Sequence, residues 1–359
     1  MQTSLPSCQS LPYLTPSNKR IVGRIKSCPE DFVVEEVSAY EPSGTGGHLY
    51  LWIEKRDCSA DLLLRHLARE LRLSRDSIGM AGLKDRYAVT RQWVSVPASS
   101  EKDLDKVDSD LVRVLKTSHH TNKLRTGHVK GNHFEIIIRS PDSTPYTPEA
   151  IDTAQELAEE IRQRGFPNFF GEQRFGKDDE TLHLGLGLLR GGADMQGVPF
   201  QKRKFLQRLA LSAAQSCLFN RVLAQRLQTG TLHQVLAGDV MQVSASGGVF
   251  NVEDVEREQP RYDGRETVLT GPLFGPKMKL PTGLPGDMEQ AVLDEMDLTL
   301  DAFREHRKLT PGARRPMITW PRDLEVSATD VGLKLTFFLP SGSYATVLLR
   351  EFLKDAMAT

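Results

Sequence analysis

Strand-period segments stand at both ends of this chain, and a long helical region stands between them. That order constrains the fold most: a sheet assembled from the two ends must be interrupted by whatever the middle forms. His48 to Glu54 alternates Leu49, Leu51 and Ile53 with larger or polar residues, the period of a half-buried strand. Asp31 to Val37, Thr90 to Val96, Leu111 to Thr117, Asn132 to Arg139 and Gly332 to Leu339 read likewise as strands. Ser59 to Leu73 reads as a helix, with Leu63, Leu67 and Leu71 at helical spacing and Ser59 able to cap its start. Ile151 to Arg164 is a second, with Ala154, Leu157, Ala158 and Ile161 on one stripe and Gly165 as its stop. Beyond Gly165 the texture changes. Gly and aromatic residues crowd 166–176, helical spacing runs from about Lys202 to Gln228, a Gly/Pro-rich stretch spans Gly264 to Gly286, and a final helix is expected from Tyr344 to Ala356. At ~150 residues per domain, 359 residues give two domains to two and a half. The expected architecture is α+β: a domain with a mixed, largely antiparallel sheet, interrupted by an inserted one. Residues 1–18, rich in Ser and Pro, are expected to fray.

Hydrophobic residues at 39% and charged residues at 26% allow a core and exclude wholesale disorder. No apolar run approaches the ~20 residues needed to cross a bilayer. The N-terminus has neither the basic start nor the apolar stretch of a signal peptide. Cys8, Cys28, Cys58 and Cys217 lack paired spacing, which fits reduced thiols in a cytoplasm rather than a zinc ribbon. The net charge of −1 argues on its face against a nucleic-acid partner, yet the charge is sorted along the chain. Lys202, Lys204, Arg203, Arg208, Arg221 and Arg226 fall in a stretch with no acid. Arg113 to Arg139 and Arg304 to Arg322 are similarly basic. Such stretches would attract phosphates if they converge on one surface, and solvated helix faces explain any one of them equally well.

The densest cluster of small and charged residues is Gly79 to Trp93. Gly79, Ala81 and Gly82 permit close approach of another backbone or a ligand. Asp85 sits between Lys84 and Arg86, and nearby cations keep a carboxylate ionised, as a nucleophile or general base requires. From spacing alone a surface turn with local ion pairing is the better reading. Gly44 to Gly47 is too short to cradle phosphate and reads as a loop. His119, His120 and His128 have no carboxylate or Cys at ligand spacing, so no metal is expected. Arg174 could touch RNA or pair with Glu172.

Gly82-Leu83-Lys84-Asp85-Arg86 followed by Ala88-Val89-Thr90-Arg91-Gln92 resembles the signature of the TruD family of tRNA pseudouridine synthases. Five further segments resemble the family's motifs, in order. They are Lys26 with Pro29 to Glu35, Gly131 to Ile136, Asn168 to Gly176, Leu309 to Pro316, and Leu339 to Thr346. The resemblance implies a pseudouridine-synthase-like catalytic domain from 1–165 and 315–359, interrupted by an inserted α/β TRUD domain at 166–314.

The implied reaction breaks the uracil–ribose C–N bond, turns the base, and rejoins it through C5. It needs no metal, nucleotide or redox cofactor, in keeping with the lack of a His/Cys ligand set or phosphate loop. By resemblance Asp85 is the required carboxylate, and attack on sugar or base and abstraction of a ribose proton both remain open. Lys26 matches the basic residue paired with the family's catalytic Asp. Phe134 matches the aromatic against which the base can stack, and Asn132 offers donors and acceptors to a uracil edge. Phe32 and Tyr344 match positions near the nucleotide, and Lys84 and Arg86 flank the carboxylate; periodicity alone makes Phe32, Phe134 and Tyr344 ordinary packing residues. The resemblance implies a flipped target base at position 13, in the D-arm, of certain tRNAs. The inserted domain is expected to wall a cleft, with Lys202, Arg203, Lys204, Arg208 and Arg174 toward the RNA backbone. A cytoplasmic monomer is expected, with tRNA as partner, no membrane and no protein partner implied. The rival readings are an RNA-binding module without catalysis and a hydrolase that leaves abasic sites.

Overall fold

The computed structural model describes residues 11–142, 144–193, 195–354 and 357–358. In chain order, the first part supplies β1 (Phe32–Ser38), β2 (His48–Arg56), α1 (Ala60–Glu70), β3 (Val89–Pro97), β4 (Val112–His120), β5 (Val129–Arg139) and α2 (Pro148–Arg164). Ser59 Oγ accepts the Leu62 amide at 3.1 Å, satisfying one of the unpaired donors that open α1. Leu63, Leu67 and Leu71 of that helical stripe bury against Leu49, Leu51 and Ile53 of β2. β2 is not half-buried as its alternation suggests. Tyr50 and Trp52, on its other face, are enclosed with Ala81, Trp93 and Leu124, so both faces are covered. Large aromatic residues in the alternate positions mark that second core, which an apolar/polar count takes for a wet face.

Residues 166–319 intervene. They contribute α3 (Glu180–Leu189), α4 (Phe200–Gln228), β6 (Val240–Val243), β7 (Val249–Asn251), α5 (Val255–Asp263), β8 (Thr267–Leu273), α6 (Gly283–Glu295), a short helix at Leu300–Glu305 and β9 (Ala313–Pro316). The strands form an antiparallel sheet in the order β7-β6-β8-β9. Part of the stretch read as Gly/Pro-rich is therefore the strand β8. It is buried on both faces, so neither period-2 alternation nor polar spacing betrays it. Gly271 is required there, because a Cβ would stand 2.8 Å from the Phe219 ring of α4.

The chain returns through β10 (Arg322–Thr329), β11 (Gly332–Pro340) and α7 (Ala345–Leu353). α7 ends where Lys354 turns to φ 53°, short of the expected Ala356, which lies outside the described residues. The main sheet runs β10-β11-β5-β1-β3-β2-β4, with shorter strands paired off this path. Only β1 and β3 pair in parallel along it, so this α+β fold has a mixed, largely antiparallel sheet. β11 pairs with β5 over nine residues, Gly332 opposite Arg139 through Pro340 opposite Gly131.

Two compact units result. One gathers Ser17–Gly165, Trp320–Ala345 and the chain from Leu349; the other gathers the described residues up to Pro16, Phe166–Thr319 and Thr346–Leu348. The second boundary falls at Thr319 rather than near 315 because β9 is the edge of the intervening sheet. Leu14 and Thr15 are buried, so fraying does not extend to them; residues 1–10 lie outside the described residues.

Candidate active site

The site grows from side chains that share one face of the main sheet. In β1 that face carries Phe32, Val34 and Glu36; in β5 it carries Asn132, Phe134 and Ile136. Glu36 stands opposite Asn132, and Val34 opposite Phe134, which in turn faces Phe337 of β11. The Phe134 and Phe337 rings stack at 5.2 Å, and Phe32 meets Phe134 edge-on at 6.2 Å. Phe32 and Phe134 are both buried, so Phe32 acts from beneath: Lys26 Nζ lies 4.2 Å above its ring. That ammonium is 3.1 Å from Asp85 Oδ1, with the Lys26 and Asp85 side chains 21% and 35% exposed. The pair is open enough to meet a ligand and sheltered enough to be felt by it.

Lys26 sits at φ 58°, a left-handed conformation that costs a non-glycine residue about 1–2 kcal/mol. The following turn, Pro29–Asp31, is fixed from below. Fully buried Asp31 accepts the Cys28 amide at 3.1 Å and Arg139 Nε at 2.8 and 2.9 Å. Burial pushes the Asp31 carboxyl up, but the hydrogen bonds from Arg139 and Cys28 more than offset it and hold it below the ordinary carboxylate value.

Asp85 arrives on the loop that follows Gly79–Met80, a two-residue strand paired to β3. Gly79 must be glycine, since a Cβ would stand 2.3 Å from the Leu124 carbonyl. Lys84 turns inward: its ammonium meets Glu36 Oε2 at 2.6 Å, with both side chains almost fully buried. On the other flank Lys55 Nζ donates to the carbonyl of Asp85 at 2.8 Å. The Asp57 amide bonds the Ala88 carbonyl at 3.2 Å, and Tyr87 Oη reaches the Ser27 carbonyl at 3.3 Å. Arg86 is exposed and lies 3.7 Å from Asp57, and Leu83 stands 81% exposed. Asn132 Oδ1 is buried without a hydrogen-bond partner among the described residues. Tyr344, half-buried, begins α7 as its N-cap.

Sequence reasoning thus named Lys26, Asp85, Phe32, Asn132, Phe134 and Lys84, which the sheet brings together, but missed Glu36 and Lys55. The missing signal was present in the alternation. Glu36 continues the Phe32–Val34 row, and Lys55 continues the Leu49–Leu51–Ile53 row, so each is a charge on an inward-facing position.

The remaining named residues lie elsewhere. His128 Nδ1 bonds Tyr40 Oη at 2.6 Å, and His120 stacks on the Tyr40 ring at 5.1 Å, both within one aromatic cluster. In the intervening unit Arg174 bonds Ser212 and Ser216 of α4 rather than Glu172. Among the α4 cations, Lys202, Lys204 and Arg208 are exposed, while Arg203 is half-buried and donates to the Val198 and Gln196 carbonyls. Arg221 pairs with Glu295 at 2.6 Å and buried Arg226 with Asp239 at 3.0 Å, so these two do not belong to the solvent-facing group.

A carboxylate beside a cation, on a loop over a mixed sheet whose same face carries aromatic rings and an unsatisfied amide oxygen, is a set of groups that can act on a nucleobase. The family model described as tRNA pseudouridine synthase D (TruD) matches residues 10–197 and 194–352. A tRNA pseudouridine synthase D of Anaeromyxobacter dehalogenans is 39% identical over 344 residues, covering 96% of each chain. That of Thermus thermophilus is 40% identical, covering 96% of this chain and 92% of its own. The crystal structure of a Methanosarcina mazei protein provisionally assigned as tRNA pseudouridine synthase D shares the fold. It has a TM-score of 0.77 at 24% identity, covering 97% of both chains. The chain belongs to the TruD family of tRNA pseudouridine synthases.

Proposed function

We propose that this protein isomerises a uridine of tRNA to pseudouridine, with Asp85 as the working carboxylate and the D-arm uridine at position 13 as the target. The observation that carries this reading is the Lys26–Asp85 pair at 3.1 Å in a family member, set among Asn132, Phe134 and Phe32. The C1′–N1 bond breaks, the freed base turns, C5 bonds to C1′, the C5 proton leaves to solvent, and N1 takes up a proton in its place. Reactants and product are isomers, so no redox cofactor or second substrate is required. Asp85 either attacks the nucleotide or removes a ribose proton. Asn132 Oδ1 is an acceptor for the uracil N3–H, and Phe134 backs the flipped base. Lys84 acts on the loop rather than on the nucleotide, since it is buried against Glu36. Arg86 and Tyr344 lie toward the RNA. Lys202, Lys204 and Arg208, with smaller contributions from Arg203 and Arg174, meet the phosphate backbone. The enzyme works as a monomer in the cytoplasm; among the described residues no helix is long and apolar enough to cross a membrane.

The test is tritium release from [5-³H]uridine-labelled tRNA, with pseudouridine mapped in a strain lacking the protein. Wild type should release tritium and restore one D-arm pseudouridine. Asp85→Asn should lose at least ~10³-fold in rate while binding tRNA normally. An active Asp85→Asn would remove Asp85 from the chemistry, and binding without release by wild type would favour a non-catalytic RNA-binding module.

A further inference from the structure

The side chain of Lys55 is the feature of this unit that packing does not explain. It continues the row of Leu49, Leu51 and Ile53 on β2, where another aliphatic side chain would bury at no electrostatic cost. Instead an ammonium stands there, with the residue 1% exposed. Among the described residues no carboxylate lies within 4 Å of its nitrogen, whose hydrogen-bond partners are two main-chain carbonyls, Cys58 at 2.5 Å and Asp85 at 2.8 Å. Burial lowers its pKa, with Cys58 and Asp85 acting the other way. A buried ammonium held by carbonyls alone, with no carboxylate in contact, is costly to a fold, and it is tolerated where the surrounding structure requires it.

We infer that Lys55 is a positioning residue for the isomerisation, fixing the main chain of Asp85 from beneath so that its carboxylate points where the nucleotide binds. The inference rests on the reading of Asp85 as the working carboxylate. Consecutive residues of the loop are held by two buried lysines acting in opposite senses. Lys84 sends its own side chain down to Glu36, and Lys55 comes up to the carbonyl of Asp85. With the main chain gripped on both sides, the remaining freedom of Asp85 is rotation of its side chain, and Lys26 limits that at 3.1 Å. Cys58, the second acceptor, follows Asp57, whose amide bonds Ala88, so Lys55 ties two separate loops, the one that leaves β2 and the one that carries Asp85, to the end of β2. Leu83, exposed on the same loop, adds no apolar burial to hold it.

The experiment measures single-turnover pseudouridine formation at saturating tRNA and, separately, tRNA Kd, in wild type, Lys55→Met and Lys55→Arg. Lys55→Met fills the same volume without an ammonium, and Lys55→Arg restores a cationic donor. Lys55→Met should lose about 10²-fold in rate, because displacing a reacting group by about an ångström costs that much. Its Kd should stay within about threefold of wild type, and Lys55→Arg should recover most of the rate. A Lys55→Met rate equal to wild type overturns the inference. So does a loss that appears in Kd instead, or a folded Lys55→Arg no faster than Lys55→Met. If neither variant folds, Lys55 belongs to the stability of the sheet and the inference fails. Inactivity of wild type itself would instead remove the proposed function.

Discussion

Both units bury carboxylates against arginines, yet Asp31 in one and Glu289 in the other shift in opposite directions. Asp31 in the first unit accepts Arg139 Nε with both oxygens and takes the Cys28 amide as well. Its carboxyl is held below the ordinary value, although burial alone would raise it. Glu289 in the intervening unit has a bidentate partner in Arg314, at 2.7 and 3.0 Å, yet burial pushes its carboxyl up and nearby Asp239 adds to the rise. Asp239, paired with Arg226, is raised by burial too. The difference lies in the surroundings. Asp31 and Asp239 each take a backbone amide as well, from Cys28 and Leu236, but the arginine of Asp31 reaches water, whereas Glu289 and Asp239 share a dry interior with two arginines. An arginine beside a carboxylate therefore does not fix the sign of its effect.

The largest expected effect comes from breaking the dry network. Arg314→Met leaves Glu289 and Asp239 without half their compensation and should cost about 3–5 kcal/mol in denaturant unfolding. A loss below about 1 kcal/mol would mean that the intervening unit relaxes around the charge, and the contrast with Asp31 would dissolve.

Asp31→Asn should cost less, about 1–3 kcal/mol at neutral pH, because Arg139 is partly solvated and can turn to water. Its pH signature sharpens the comparison. A depressed carboxyl contributes stability above its unfolded value and loses it as pH falls through the folded value. The gap between wild type and Asp31→Asn should therefore close on acidification. For Glu289 and Asp239, raised by burial, the contribution is full below the unfolded value and is lost as pH rises through the folded one. Replacing Glu289 by Gln should accordingly be least harmful at the alkaline end. Parallel pH dependences for the two substitutions would refute the opposition.

These networks mark where sequence stops being readable. Six of the seven strands along the main sheet and helices α1, α2 and α4 were legible, β10 being the one not read; one-sided burial prints a period on α1 and α2, whereas β2 and the middle of α4 are enclosed on all sides. Asp85 and Lys26 were legible through motif resemblance, since a Lys-Asp-Arg triplet carries no address by itself. β8 was hidden because burial on both faces erases alternation, and α3, α5 and α6 were missed within the texture of the insertion. Glu36 and Lys55 were visible only as charges out of place on inward rows. Their meaning depends on Lys84 and the Asp85 carbonyl, which are 48 and 30 residues away in sequence. Arg221 and Arg226 looked like Lys202 until Glu295 and Asp239 claimed them.

That last distinction yields the smallest expected effect and carries the comparison onto one helix. α4 has six cations and no acid, but its C-terminal arginines compensate buried or neighbouring carboxylates, leaving Lys202, Lys204 and Arg208 near the N-terminal end facing solvent. Arg203 is left out of the test because its guanidinium already serves the Val198 and Gln196 carbonyls. Replacing the three exposed cations with Ala should leave folding unchanged, since none has a structural partner to abandon among the described residues. If they meet phosphates, each lost contact should reduce the dependence of log Kobs on log salt by about 0.7–0.9. The slope should fall by roughly 2–3 in total, with weaker binding at low salt and convergence on wild type at high salt. Single-turnover chemistry at saturating tRNA should stay within a few-fold, because backbone contacts set register and affinity rather than the bond-breaking step. An unchanged slope would assign these charges to solubility and confine RNA binding to the unit that holds Asp85.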